Sequence, residues 1–107
     1  MPQYVVIQGH SPGDCPVSSK SAREWLKKMF PEIEGNARKF GVKFVVPYIH
    51  LDPAHKALML LEAPNAEAVR DFLMQAGFLH ILDMEFYLVT PVSEFFKDID
   101  KIPTVYP

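Results

Sequence analysis

Four histidines and a single cysteine fall where this chain passes from one element to the next: His10, Cys15, His50, His55 and His80. Imidazole beside a carboxylate or thiolate suits zinc, iron, copper or nickel, and it also suits acid–base work. The spacing contains no CxxC or HxxxH pattern, so no recognised ligand motif stands in the linear sequence. Two constellations emerge. A metal set would use His10 and His50 with either Cys15 or Asp83. A pocket for an organic molecule would use Gln8, His10, Tyr48, His50 and Tyr87 to orient it, with His10 and Glu85 as acid–base groups. No cofactor is specified; a transition metal is the one these side chains would suit. The competing reading is plain surface histidines, because turns at strand ends are solvated.

Cys15 lies between Pro12-Gly13 and Pro16, just upstream of an expected helix start, where a thiolate gains from the helix dipole. That environment suits a nucleophile or redox sensor, although a lone loop cysteine is more often inert.

The elements that must position these groups follow from pattern. Tyr4 to Gln8 is a β-branched run closing on Gly9-His10, a first strand. Ser21-Ala22-Arg23-Glu24 has the spacing of a capping box. Ala22, Trp25, Leu26, Met29, Ile33, Ala37 and Phe40 then recur at helical spacing. Pro31 interrupts this pattern, which predicts a kink or two short helices. Val42 to Leu51 is a second strand, and its Pro47 belongs on a sheet edge or at a bulge. Asp52-Pro53-Ala54-His55 is a tight connection into a third strand, Lys56 to Ala63. Asn65 caps a second helix with Val69, Phe72, Leu73 and Ala76 inward, stopped by Gly77. Asp83 to Val89 is the fourth strand. A helical turn around Glu94 to Ile99 leads into an extended end.

The order β-α-β-β-α-β is a ferredoxin-like α+β arrangement with a four-stranded antiparallel sheet. Right-handed crossovers put strands one and three in the centre. Residues 1–92 form the domain, and 93–107 an extension that packs on the domain or on a partner. At one end of this sheet the ends of strands one and two meet the starts of three and four. All four histidines, Cys15 and Asp83 are expected there.

Helices cover one sheet face only. Alternation assigns to it Val5, Ile7, Val45, Ile49, Met59, Leu61, Met84, Phe86 and Leu88. The other face would carry Tyr4, Val6, Gln8 and His10, then Phe44, Val46, Tyr48 and His50, then Leu58, Leu60 and Glu62, and finally Asp83, Glu85, Tyr87 and Val89. That face is too apolar for water and predicts association with another chain. Glu62 and Glu85 would be carboxyls of raised pKa there, or would pair with Lys43 or Arg38 across a dimer.

With this element order the chain resembles the dimeric α/β-barrel superfamily, small ferredoxin-like domains paired through their sheets. The resemblance runs from about residue 3 to about residue 92. It includes two stretches like those of short, uncharacterised members: His10-Ser11-Pro12-Gly13-Asp14-Cys15-Pro16-Val17-Ser18-Ser19 and Leu61-Glu62-Ala63-Pro64-Asn65-Ala66-Glu67-Ala68-Val69. The resemblance implies a homodimer, or a higher homo-oligomer through edge strands, enclosing a cavity between sheets. It selects no reaction, since the superfamily spans monooxygenases, isomerases, haem-handling enzymes and ligand sensors.

Composition bounds the rest. With 107 residues, 49% hydrophobic and 22% charged, the chain is one domain with an ordinary core. Such a domain buries roughly two-thirds of its unfolded surface, enough to fold without staples. Net charge is −2 and the largest basic cluster is Lys27-Lys28, so a nucleic-acid or anionic-membrane partner is not expected. One cysteine makes no internal disulfide, which reads as cytoplasmic. The N-terminus lacks the pattern of a signal peptide, and the longest apolar run, Ala57–Leu61, is too short to span a bilayer. Three functions remain: a homodimer binding or acting on a small organic molecule, a metal-binding protein, and an oligomerisation module without catalysis.

Overall fold

The computed structural model describes residues 1–78 and 82–107. Its elements are β1 (Gln3–Gly9), α1 (Lys20–Met29), α2 (Ile33–Arg38), β2 (Lys43–Leu51), β3 (Lys56–Glu62), α3 (Ala66–Gln75), β4 (Asp83–Val89) and α4 (Val92–Lys97). The strands form one sheet in the order β2-β3-β1-β4, every neighbouring pair antiparallel. Strands one and three are central, as right-handed crossovers require. Pro47 sits on edge strand β2, within a register shift between Val46 and Ile49. An edge tolerates its missing N–H and absorbs the irregularity.

Helix α1 starts two residues before the expected capping box. Ser19, not Ser21, is the N-cap, accepting the Ala22 N–H at 3.2 Å. The reason lies upstream: the Arg23 guanidinium donates to the carbonyls of Pro16 and Val17, each at 2.8 Å. Those bonds bind the incoming loop to the first turn and draw the helix start back. Pro31 occupies a 3₁₀ turn, Phe30–Glu32, that separates α1 from α2, one of the two outcomes its sequence position predicts. Asn65 caps α3 by accepting the Ala68 N–H at 2.9 Å. Gly77 follows α3 at φ 80°, the left-handed conformation that glycine adopts without steric cost.

The core lies between α1, α2 and α3 and one face of the sheet. Val6, Met59, Leu61, Val69, Phe72 and Phe78 are all wholly buried. Here the expected faces need correcting for two strands. Register sets Tyr4 opposite Leu61, Val6 opposite Met59 and Gln8 opposite Ala57, all buried. Tyr4, Val6 and Gln8 therefore face the helices, and Val5 and Ile7 lie on the open side. On β2, Phe44 and Tyr48 pack against the core while Val45 and Ile49 are exposed. β3 and β4 follow the expected faces: Met59, Leu61, Met84 and Phe86 inward, Leu58, Leu60, Glu85 and Tyr87 outward. Both β1 and β2 are apolar in both phases, so alternation alone could not orient them.

The open face remains apolar after this exchange. It carries Val5, Ile7, Leu58 and Leu60 at its centre, with Val45, Ile49, Tyr87 and Val89 towards the edges. Residues 90–107 do not roof it: none of them is buried, and Phe95, Phe96, Ile102 and Tyr106 are exposed. The molecule is correspondingly long, 56 Å against 31 and 19 Å.

Candidate functional site

The site begins where β1 ends. Gly9 pairs with Lys56 of β3 on one side and with Asp83 of β4 on the other. Just beyond this register the His10 N–H donates to the His55 carbonyl at 3.0 Å. That bond brings the two imidazoles together, their ring centroids 5.2 Å apart at 64°. The loop after His10 folds back over them. Its anchor is the Cys15 carbonyl, which accepts the N–H groups of Ser18 (3.0 Å) and Ser19 (2.7 Å). Ser18 Oγ also donates to the Pro12 carbonyl at 2.8 Å. With Arg23 holding Pro16 and Val17, the main chain that carries Cys15 is held beside the histidines. Ring nitrogens of His10 and His55 and Cys15 Sγ all lie within 4.8 Å of one another.

This cluster forms one end of a cavity of about 230 Å³ on the helix side of the sheet. Its apolar walls are Ala22, Trp25, Leu26, Tyr48 and Leu82, and its polar end includes Gln8, His10, Cys15, His50 and His55. Gln8 is 2% exposed, and neither its Oε1 nor its Nε2 has a hydrogen-bond partner among the described residues. Nε2 of His10 is likewise buried without a partner. Burial is the main cause that holds the His10 imidazole below its ordinary pKa; His55 adds to it, Asp14 opposes it and His50 contributes least.

Tyr48 forms the wall between this cavity and the aromatic core, stacked on Phe78 at 6.4 Å. Burial pushes its phenol from 10.0 up to about 12. The fold thus favours the neutral phenol. The stability this contributes is complete below the unfolded value of 10.0 and is lost as pH rises towards about 12. Urea unfolding across that window should show the native chain losing more stability than Tyr48→Phe; parallel curves would refute it.

The expected site residues divide between the two sides of the sheet. Gln8, His10, Tyr48 and His50 line the helix-side cavity. Glu85 and Tyr87 lie on the open face, where the Tyr87 hydroxyl donates to Glu85 Oε2 at 2.7 Å. That hydrogen bond and the Glu85 charge raise the Tyr87 pKa. Glu85 shares with His10, His55 and Asp83 only an open depression at the sheet end. The cluster differs from the expected metal set: His10 and Cys15 are joined by His55, and neither His50 nor Asp83 is within it. His80 lies outside the described residues. His55, expected at this sheet end but in neither constellation, stands immediately before β3, whose Lys56 pairs with Gly9, and this makes it the neighbour of His10.

The arrangement of sheet and helices matches solved structures. A dimeric ferredoxin-like protein from an uncultured marine organism superposes with a TM-score of 0.50, at 8% identity, over 85% of this chain and 96% of that one. The fold is ferredoxin-like. Also similar are the de novo designed protein Foldit4 (TM-score 0.46, 10% identity, 85% of this chain and 99% of that one) and an Arabidopsis thaliana protein (TM-score 0.46, 14% identity, 85% and 95%). No family model and no curated protein matches the chain. Among the described residues, no helix of this ferredoxin-like chain is long and apolar enough to cross a membrane.

Proposed function

We propose that this chain self-associates through its open sheet face and binds a small organic molecule in the helix-side cavity. The observation that carries the binding reading is the Gln8 amide. Burying an amide without a hydrogen bond costs about 1–3 kcal/mol, so a position that keeps one has a use for it. The amide both donates and accepts, and it stands at the polar end of an otherwise apolar cavity. A compact guest with an apolar body and one carboxamide, carbonyl or hydroxyl head fits those walls. The volume of about 230 Å³ is below the ordinary range for drug-sized ligands. Trp25 and Tyr48 give such a guest flat apolar surfaces.

Self-association rests on the uncovered apolar face and on the dimeric state of the marine protein with the same fold. Residues 93–107 carry further exposed apolar side chains and would pack against the partner in such a pair.

Replacing Gln8 with Leu separates binding from folding. The variant is expected to gain about 1–3 kcal/mol of stability in urea, because an unpaired amide is removed. It should also lose binding of small aromatic amides and alcohols in a fragment screen followed by NMR. Unchanged fragment binding in Gln8→Leu would exclude this role for the amide.

A further inference from the structure

We propose that His10, Cys15 and His55 form a three-ligand zinc site whose fourth position opens into the helix-side cavity. Two imidazole nitrogens and one thiolate are a ligand set that zinc takes in open sites, with the remaining position left for water or an exogenous molecule. Tetrahedral zinc with such ligands holds its donor atoms about 3.4–3.6 Å apart. Here the three donors already lie within 4.8 Å, so the side chains need to draw in by only about 1 Å to meet one ion.

Two further features distinguish this cluster from a chance meeting of polar residues. Its backbone is fixed in advance: the His10 N–H on the His55 carbonyl holds the two main chains side by side, and the doubly accepting Cys15 carbonyl holds the loop that carries the thiol. A site assembled by backbone hydrogen bonds loses little entropy when it takes up an ion. In addition, the buried Gln8 amide and His10 Nε2 are without partners and belong to the same pocket end. Imidazole nitrogen without a partner is a free ligand atom, and the amide can bond an oxygen held at the fourth position. Zinc binding does not depend on an organic guest, so each can fail without the other.

Cobalt(II), added alone to metal-free protein purified without a histidine tag, tests the site, since it takes zinc's geometry and reports its ligands by absorbance. One equivalent should produce a thiolate-to-cobalt charge-transfer band with intense tetrahedral visible bands, both erased by one equivalent of zinc. Cys15→Ser should lose the charge-transfer band and His55→Gln the tetrahedral bands. Cys15 and His55 are not core residues, and circular dichroism of each variant verifies that it folds. No charge-transfer band in the native chain overturns the proposal. So does a band that survives Cys15→Ser, or one that survives His55→Gln and disappears in His50→Gln.

Discussion

Leu60→Asp is expected to leave a folded monomer near 12.2 kDa, while the native chain is expected to sediment at about twice that mass at micromolar concentration, the range in which an interface of standard size holds. Leu60 lies directly opposite Val5 at the centre of the open face, with Ile7 and Leu58 as the neighbouring pair. In the proposed dimer this centre is desolvated, and an unpaired carboxylate there costs several kcal/mol. In the free chain the same position is only half-buried, so the aspartate reaches water and the fold survives. The four strands, about seven residues long, give a flat sheet area of roughly 450 Å² at the usual strand spacings. A standard interface buries about 800 Å² per partner, so the sheet face covers roughly half of that. Phe95, Phe96, Ile99 and Ile102 are further exposed apolar surface that could supply the rest. A Leu60→Asp chain that still sediments as a dimer would show that some other surface joins the copies.

Phe78→Ala is expected to cost about 3–5 kcal/mol of stability, the range for removing a buried aromatic ring. Phe78 is wholly buried and meets three other rings: Trp25 at 5.7 Å and 82°, Phe72 at 6.1 Å and 71°, and Tyr48 at 6.4 Å and 22°. Edge-to-face and offset pairs add about 0.5–1.5 kcal/mol each beyond the area they bury. Two of those partners, Trp25 and Tyr48, are walls of the helix-side cavity. The substitution therefore loosens the cavity as well as the core, and fragment binding should weaken along with the urea midpoint. Phe30→Ala is the matched comparison. Phe30 also meets Tyr48, at 6.5 Å, but is 52% exposed, and its loss should cost less than about 1 kcal/mol. Equal costs for the two variants would contradict the described core.

Much of this fold is legible in the sequence itself. Asn65 and Gly77 bracket α3 because each supplies what a helix end lacks, and Pro47 belongs on a sheet edge or at a bulge. The strand faces were legible on β4, where Asp83, Glu85 and Tyr87 alternate with Met84 and Phe86. They were not legible on β1. Tyr4-Val5-Val6-Ile7 is apolar at every position, and of the two polar side chains in the strand, Gln3 stands at its start and Gln8 is buried. A buried polar residue inverts the inference that polarity marks the open side. The site shared this fate. His10, His50, His55 and Cys15 line one cavity, but a ligand set requires distances. What joins His55 rather than His50 to His10 is a single backbone hydrogen bond, and side-chain types carry no trace of it.

The cavity is walled by side chains of one chain and lies on the far side of the sheet from the open face. Two associated copies would thus hold two separate chambers, back to back, with two whole sheets between them. Titration of such an assembly should follow a simple hyperbola with no interaction between chambers. A copy prevented from pairing should take up its guest as tightly as a paired one.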